Sequence, residues 1–152
     1  MPELPEVETI VRDLNKSIRR KTFSDVTVHD AFLLRQTPKD FIRRIKGRTI
    51  DKITRRGKAV IVHLNSGELL VVQVMMTGQL IVNGPQDKHT RLTFDFTDGS
   101  RLLYNDQRRF GQLRVVSQLN EVKHFNILGP EPFSKDFTPV FMGEAFRICR
   151  HR

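Results

Sequence analysis

The chain has 152 residues, near the ~150 of a typical domain, so one folded domain is expected, with at most the stub of a second. A hydrophobic fraction of 38% is enough for a core, while 26 Lys+Arg against 17 Asp+Glu leave a net charge of +9 and point to a polyanionic partner. One cysteine excludes an internal disulfide and a cysteine-built zinc site, no apolar run approaches the ~20 residues of a membrane span, and the acidic start is unlike a signal peptide, so a soluble intracellular protein is expected.

The first predicted element is a helix over 5–20, because Val7, Ile10, Val11, Leu14 and Ile18 recur at helical spacing. Pro5 suits the first helical position, Glu6 and Glu8 lie at the positive end of the dipole, and Lys16, Arg19 and Arg20 lie at the negative end. A strand is expected at 22–29 and a short helix at 38–46. Thr37 can cap that helix, Pro38 opens it, Phe41, Ile42 and Ile45 form its apolar stripe, and Gly47 ends it. Further strands are expected at 49–55, 58–64, 68–74, 79–82, 91–97, 100–104 and 111–116, with Asn65-Ser66-Gly67 and Asp98-Gly99 as hairpin turns. So many short strands at close spacing describe an α+β, mainly β architecture: an antiparallel sandwich or barrel flanked by two helices. From Gln118 the pattern weakens, Leu128-Gly129-Pro130-Glu131-Pro132 reads as a linker, and 138–152 begins like a helix and stops. Residues 1–130 are therefore taken as one domain and 131–152 as a linker with the truncated start of another.

The basic excess is local. Ten Lys/Arg against Asp40 and Asp51 between Arg35 and Lys58 hold eight of the nine net charges. Arg101, Arg108, Arg109 and Arg114 cluster around Asp106, and Arg147, Arg150 and Arg152 close the chain. Any one cluster is as well explained by a solvated face, but together they favour phosphate contact, because each neutralised phosphate releases counterions.

The opening Met1-Pro2-Glu3-Leu4-Pro5-Glu6-Val7-Glu8-Thr9 is unusual in a basic protein. Taken alone, it is explained by a helix N-terminus decorated with acids. If Met1 is removed, however, Pro2 carries a secondary α-amine with a pKa near ~7.7–8.0, against ~10.4 for lysine, and a useful fraction is unprotonated at neutral pH. Attack of such an amine on a sugar C1′ yields an iminium, an electron sink that drives elimination. Glu3 and Glu6 are close enough in sequence to shuttle protons.

The run Pro2–Thr9, followed by Arg55-Arg56-Gly57-Lys58, Met76-Thr77-Gly78, Asn105-Asp106-Gln107-Arg108-Arg109-Phe110-Gly111 and Leu128–Pro132, resembles the N-terminal half of the bacterial formamidopyrimidine-DNA glycosylases from residue 2 to about 140. The resemblance implies a two-layered antiparallel β-sandwich with two flanking helices as the catalytic domain. It implies Pro2 as the nucleophile that forms a Schiff base at C1′, Glu3 as the proton donor for sugar-ring opening, Glu6 as support, and Lys58 as the holder of a phosphate beside the lesion. Met76, Arg108 and Phe110 match the wedge that fills the space left by a flipped nucleotide, and Arg56 and Arg109 fall among the DNA contacts. Gln73 stands where the family commonly has His, which turns a charged phosphate contact into a neutral one.

The implied partner is double-stranded DNA containing oxidised purines, such as 8-oxoguanine and formamidopyrimidines, or abasic sites. The implied protein is a monomeric, cytoplasmic, nucleoid-associated bacterial DNA-repair enzyme with AP-lyase chemistry and no membrane contact. The family continues with a helix-two-turn-helix domain and a four-cysteine zinc finger, and the chain ends before both. His29, His63, His89, His124, His151 and Cys149 show no metal-ligand spacing, so no metal and no cofactor are expected in this chain. The alternatives are a non-catalytic DNA-binding fragment, an endonuclease VIII-like glycosylase for oxidised pyrimidines, and a basic RNA-binding β-barrel, which leaves the acidic N-terminus unexplained.

Overall fold

Eight strands build two sheets with a shared core, and the computed structural model describes residues 3–122 of the chain. In chain order the elements are α1 (Leu4–Ile18), β1 (Phe23–Val28), a 3-10 turn (Ala31–Leu33), α2 (Pro38–Ile45), β2 (Ile50–Arg56), β3 (Ala59–Leu64), β4 (Leu69–Gln73), β5 (Gly78–Val82), β6 (Thr90–Phe96), β7 (Arg101–Asp106), β8 (Gln112–Val116) and a second 3-10 turn (Leu119–Glu121). Every strand pair is antiparallel, with sheet orders β1-β6-β7-β5 and β2-β3-β4-β8. The fold is α+β and mainly β, two layers with two flanking helices, and all eight expected strands are present.

Between the sheets, Phe23, Phe94, Phe96 and Tyr104 of one layer meet Val60, Val62, Leu70, Val72 and Leu113 of the other. Strand β3 is buried on both faces, because Ala59 and Ile61 join Val71, Val116 and Val122 in a smaller cluster on the outside. The helices close the sides where the sheets present unpaired edges. Helix α1 buries Val7, Val11, Leu14 and Ile18, and Asn15 donates to the Ile53 carbonyl (2.7 Å) and accepts from its N–H (3.0 Å), which completes the edge of β2. Helix α2 buries Phe41 and Ile45. Beside it, Gln36 accepts from Val115 N–H (2.6 Å) and Arg44 donates to the Val115 carbonyl (2.8 Å), which does the same for β8. Both arrangements satisfy ladder groups that an exposed edge would leave open.

The differences from expectation have local causes. Helix α1 starts at Leu4 with Pro5 second, because Glu3 is the cap: it and Glu6 exchange side-chain and backbone bonds in a capping box. The helix stops at Ile18 rather than 20, where Arg20 turns to φ 71 and its N–H leaves the helix for the Ile50 carbonyl (2.8 Å). Strand β7 runs on to Asp106, two residues beyond expectation, since Asn105 and Asp106 register with Gln79 and Gly78 of β5. The 3-10 turn at 31–33 was not expected; Asp30 caps it through Phe32 N–H (3.1 Å). The proposed boundary near 130 and the segment 131–152 lie outside the described residues.

Strand direction decides where the site lies. The β2–β3 turn, the β4–β5 and β7–β8 connections and the end of β1 share one end of the sandwich, and the hairpin turns at 65–67 and 98–99 lie at the other.

Candidate active site and nucleic-acid interface

At this end Glu3, the cap of α1, forms an ion pair with Lys58 in the β2–β3 turn, Nζ to Oε2 2.9 Å. The turn is pinned to the helix: Arg55 donates to Glu8 Oε2 (2.7 Å) and to the Gly57 carbonyl (3.0 Å), so the two elements bearing Lys58 and Glu3 cannot move independently. The hydrogen bond from Lys58, then its charge, holds the Glu3 carboxyl below the ordinary carboxylate range. Glu3 is therefore an ionised acceptor in this arrangement. Glu6 is bonded to the Glu3 backbone N–H (3.0 Å). Pro2, next in sequence to Glu3, lies outside the described residues.

One strand across, half-buried Gln73 ends β4 in register with Ala59, the residue after Lys58, and with Gln112 of β8. Arg56, also half-buried, ends β2 opposite Ala59. The chain then leaves β4 through Met75 (φ 53) and Met76 to Thr77, while the β7–β8 connection carries Arg108, Arg109 and Phe110. Among the described residues the exposed large hydrophobics are Phe32 (63%), Met75 (39%), Met76 (43%) and Phe110 (53%), all at this end. Met76 and Phe110 are thus not core residues. Arg108 lies against Met76, Nη1 to Sδ 3.7 Å, and donates its backbone N–H to Thr77 Oγ1 (3.0 Å). Arg109, at φ 61, gives its guanidinium to both oxygens of Asp30 (2.5 and 3.1 Å) and sits 4.6 Å from the Phe32 ring centroid. The structure therefore brings Glu3, Glu6, Lys58, Arg56, Gln73, Met76, Arg108, Arg109 and Phe110 to one end, with the Arg109 charge turned to Asp30.

Sequence reasoning missed Asp106, which organises the two connections. Its buried carboxylate accepts from Thr77 Oγ1 (2.5 Å) and Arg109 N–H (3.1 Å) on one oxygen, and from Gly111 N–H (2.8 Å) and Tyr104 hydroxyl (3.2 Å) on the other. Burial, then the Asp106 charge, pushes the Tyr104 hydroxyl above its ordinary range, so it stays a donor. The packing leaves no room for side chains at two glycines: a Cβ at Gly111 would lie 1.7 Å from the Tyr104 oxygen, and one at Gly78 would lie 2.3 Å from the Val74 carbonyl oxygen. The available signal was a lone acid amid four arginines, followed by a glycine. Asp30 and Phe32 carried no such signal.

A groove of about 830 Å³ runs between α1 and β5, lined by Glu6, Thr9, Ile10, Met76 and Thr77 to Ile81, so it opens beside both the acidic cap and the exposed methionine. Among the described residues no three His, Cys, Asp or Glu side chains are placed to hold a metal ion. No helix among them is long and apolar enough to cross a membrane.

Residues 1–113 match the family model for the formamidopyrimidine-DNA glycosylase N-terminal domain. The formamidopyrimidine-DNA glycosylase of Bacillus licheniformis is 38% identical over 97% of this chain and 56% of its own length. That of Shouchella clausii is 40% identical over 96% and 55%. Among solved structures, the Lactococcus lactis enzyme non-covalently bound to AP-site-containing DNA superposes with a TM-score of 0.87 at 29% identity, covering 96% of this chain and 58% of that one. The same enzyme with FAPY-dG-containing DNA gives 0.86 at 30% identity, over 95% and 56%. The chain spans about half the length of the curated relatives it matches. The motif order, the two-sheet sandwich and these matches agree, and the chain belongs to the formamidopyrimidine-DNA glycosylase N-terminal domain family.

Proposed function

We propose that this chain forms the catalytic, wedge-bearing half of a base-excision DNA glycosylase and AP lyase that removes oxidised purines through a Schiff base at Pro2. The observation that carries the reading is the Glu3–Lys58 pair, one residue along the sequence from Pro2 and at the same end as the exposed Met76 and Phe110. The Lactococcus lactis relatives, solved with abasic-site and FAPY-dG-containing DNA, support DNA carrying such lesions as the partner. A nucleic-acid partner also accounts for the net charge of +9.

In the proposed reaction, the free Pro2 nitrogen, unacylated once Met1 is removed, gives its lone pair to C1′ and the base leaves. The nitrogen's remaining proton is lost as the C1′–O4′ bond breaks and the iminium forms, and O4′ takes a proton from Glu3. Loss of a C2′ proton then sends electrons toward the iminium and expels the 3′ phosphate. The Glu3 step requires a protonated carboxyl. A DNA phosphate drawing Lys58 to itself removes the hydrogen bond and charge that hold the Glu3 carboxyl low, so binding raises its pKa when the proton is needed. Met76, Arg108 and Phe110 fill the gap left by the extruded nucleotide and lower the few kcal/mol that extrusion costs.

The test is borohydride trapping on abasic-site duplex, with mass spectrometry fixing the N-terminus of each sample. The chain beginning at Pro2 gives a trapped adduct, and the chain retaining Met1, whose Pro2 nitrogen is a tertiary amide, gives none. Equal adduct from both makes a lysine the nucleophile and overturns the mechanism. DNA binding without an adduct from either overturns the Schiff-base mechanism and leaves DNA binding alone.

A further inference from the structure

We infer that Phe32 is a DNA-contacting residue, an aromatic platform for a base or deoxyribose of the strand opposite the lesion. This rests on the proposed function, since it requires DNA across this end of the sandwich.

The ring is 63% exposed, the most exposed of the large hydrophobics among the described residues, and yet it is held in place. Asp30 Oδ1 accepts from Phe32 N–H (3.1 Å), Asp30 binds the Arg109 guanidinium through both oxygens (2.5 and 3.1 Å), and that guanidinium lies 4.6 Å from the Phe32 centroid. Arg91 adds a second cation to Asp30 at 3.8 Å and donates to the Asp106 carbonyl (2.9 Å), tying the group to the wedge connection. A guanidinium stacked on a phenyl ring supplies a fixed cation and a fixed π-face together, the combination that base-stacking surfaces use.

Position assigns the strand. In the sheet order β2-β3-β4-β8, Lys58 lies in the β2–β3 turn with Glu3 paired to it, Met76 follows β4 with Arg108 against it, and Leu34, two residues after Phe32, bridges to Leu113 of β8. The wedge thus separates the chemistry from Phe32. With the reacting strand at Lys58, the strand on the far side of the wedge is the complementary one. The cationic, ring-stacked setting favours a nucleic acid over an apolar protein segment as occupant.

The experiment uses the full chain and a short duplex carrying a tetrahydrofuran abasic analogue, with 2-aminopurine in the complementary strand beside the gap. Affinity is read by anisotropy and stacking by 2-aminopurine fluorescence. Phe32→Ala is expected to weaken binding roughly 5- to 100-fold, as loss of one base–aromatic contact does, and to remove the 2-aminopurine response without moving the Tm. Phe32→Tyr restores both, and Phe32→Leu restores neither fully, since it keeps apolar bulk without the π-face. If Phe32→Ala binds as the parent does while Met76→Ala is impaired, the inference falls and the wedge reading stands. If neither variant differs from the parent, the reading of this whole end falls with it. A Phe32→Ala change confined to Tm or oligomeric state assigns the ring to protein packing and also overturns the inference.

Discussion

Met76 and Phe110 show how exposure decides what residue type leaves open, whether an apolar side chain belongs to the core. Both are apolar side chains that ordinarily belong in a core, yet at 43% and 53% exposed they have little packing to lose. Met76→Ala and Phe110→Ala are therefore expected to shift the melting temperature by no more than a degree or two, in contrast to the ~2–5 kcal/mol of a large-to-small core change. Each is also expected to slow excision of a paired lesion more than cleavage at a preformed abasic site, because only the former needs a nucleotide extruded. Calorimetry and single-turnover assays on the two substrates check this. A core-sized loss of stability would return the residue to the core.

At the scale of elements, the β4–β5 and β7–β8 connections are held together by one buried carboxylate. Asp106→Ala leaves the Thr77 hydroxyl, the Arg109 and Gly111 N–H groups and the Tyr104 hydroxyl without their acceptor. With ~1–3 kcal/mol for each buried donor left unmade, a destabilisation of about 3 kcal/mol or more is expected in urea unfolding. Gly111→Ala drives a methyl to within 1.7 Å of the Tyr104 oxygen, which costs at least the ~1–3 kcal/mol of overpacking. Tyr104→Phe in the Gly111→Ala background removes that oxygen and recovers part of the loss, so a double-mutant cycle is expected to give a stabilising coupling. Additivity would mean that the two groups do not meet.

Charge acts over the whole molecule through pairs that close long stretches of chain and through a net surplus of +9. The hydrogen bond from Arg109 to Asp30, opposed by burial, holds the Asp30 carboxyl below its ordinary value. A carboxyl depressed in the folded state stabilises the fold above its unfolded pKa of ~3.9, and that contribution is lost as pH falls through the lower folded value. Denaturant midpoints measured from pH 5 downward are expected to fall less steeply for Asp30→Asn, which starts lower at pH 5. A parallel decline would remove Asp30 from the acid response. For DNA, log K is expected to fall linearly with log salt, with a slope near −0.9 for each phosphate neutralised. Lys58→Ala should reduce that slope by about one and weaken binding to all sequences about equally, as measured by titration at several salt concentrations.

Helix α1 was legible from Val7, Val11, Leu14 and Ile18 because periodicity is summed over a local window, and the strands from β-branched runs punctuated by glycines that adopt positive φ, such as Gly67 (89°) and Gly99 (87°). The acidic start and the Arg-Arg-Gly-Lys, Met-Thr-Gly and Arg-Arg-Phe-Gly segments, which the fold brings to one end, stood out as short motifs of the candidate site. Strand order, by contrast, was not legible, nor was the passage of β7 through Asn105 and Asp106, since a buried carboxylate in a strand is tolerated only with donors from residues 77, 104, 109 and 111 converging on it. Arg109 reads in sequence as one more cation for DNA, and only the fold brings it to Asp30, 79 residues earlier, and lays it on Phe32. Amphipathic pattern and turn chemistry act between neighbours along the chain and determined the elements by themselves. The partner of each charge and the exposure of each apolar ring depend on sheet register between distant segments, which tertiary structure alone decides.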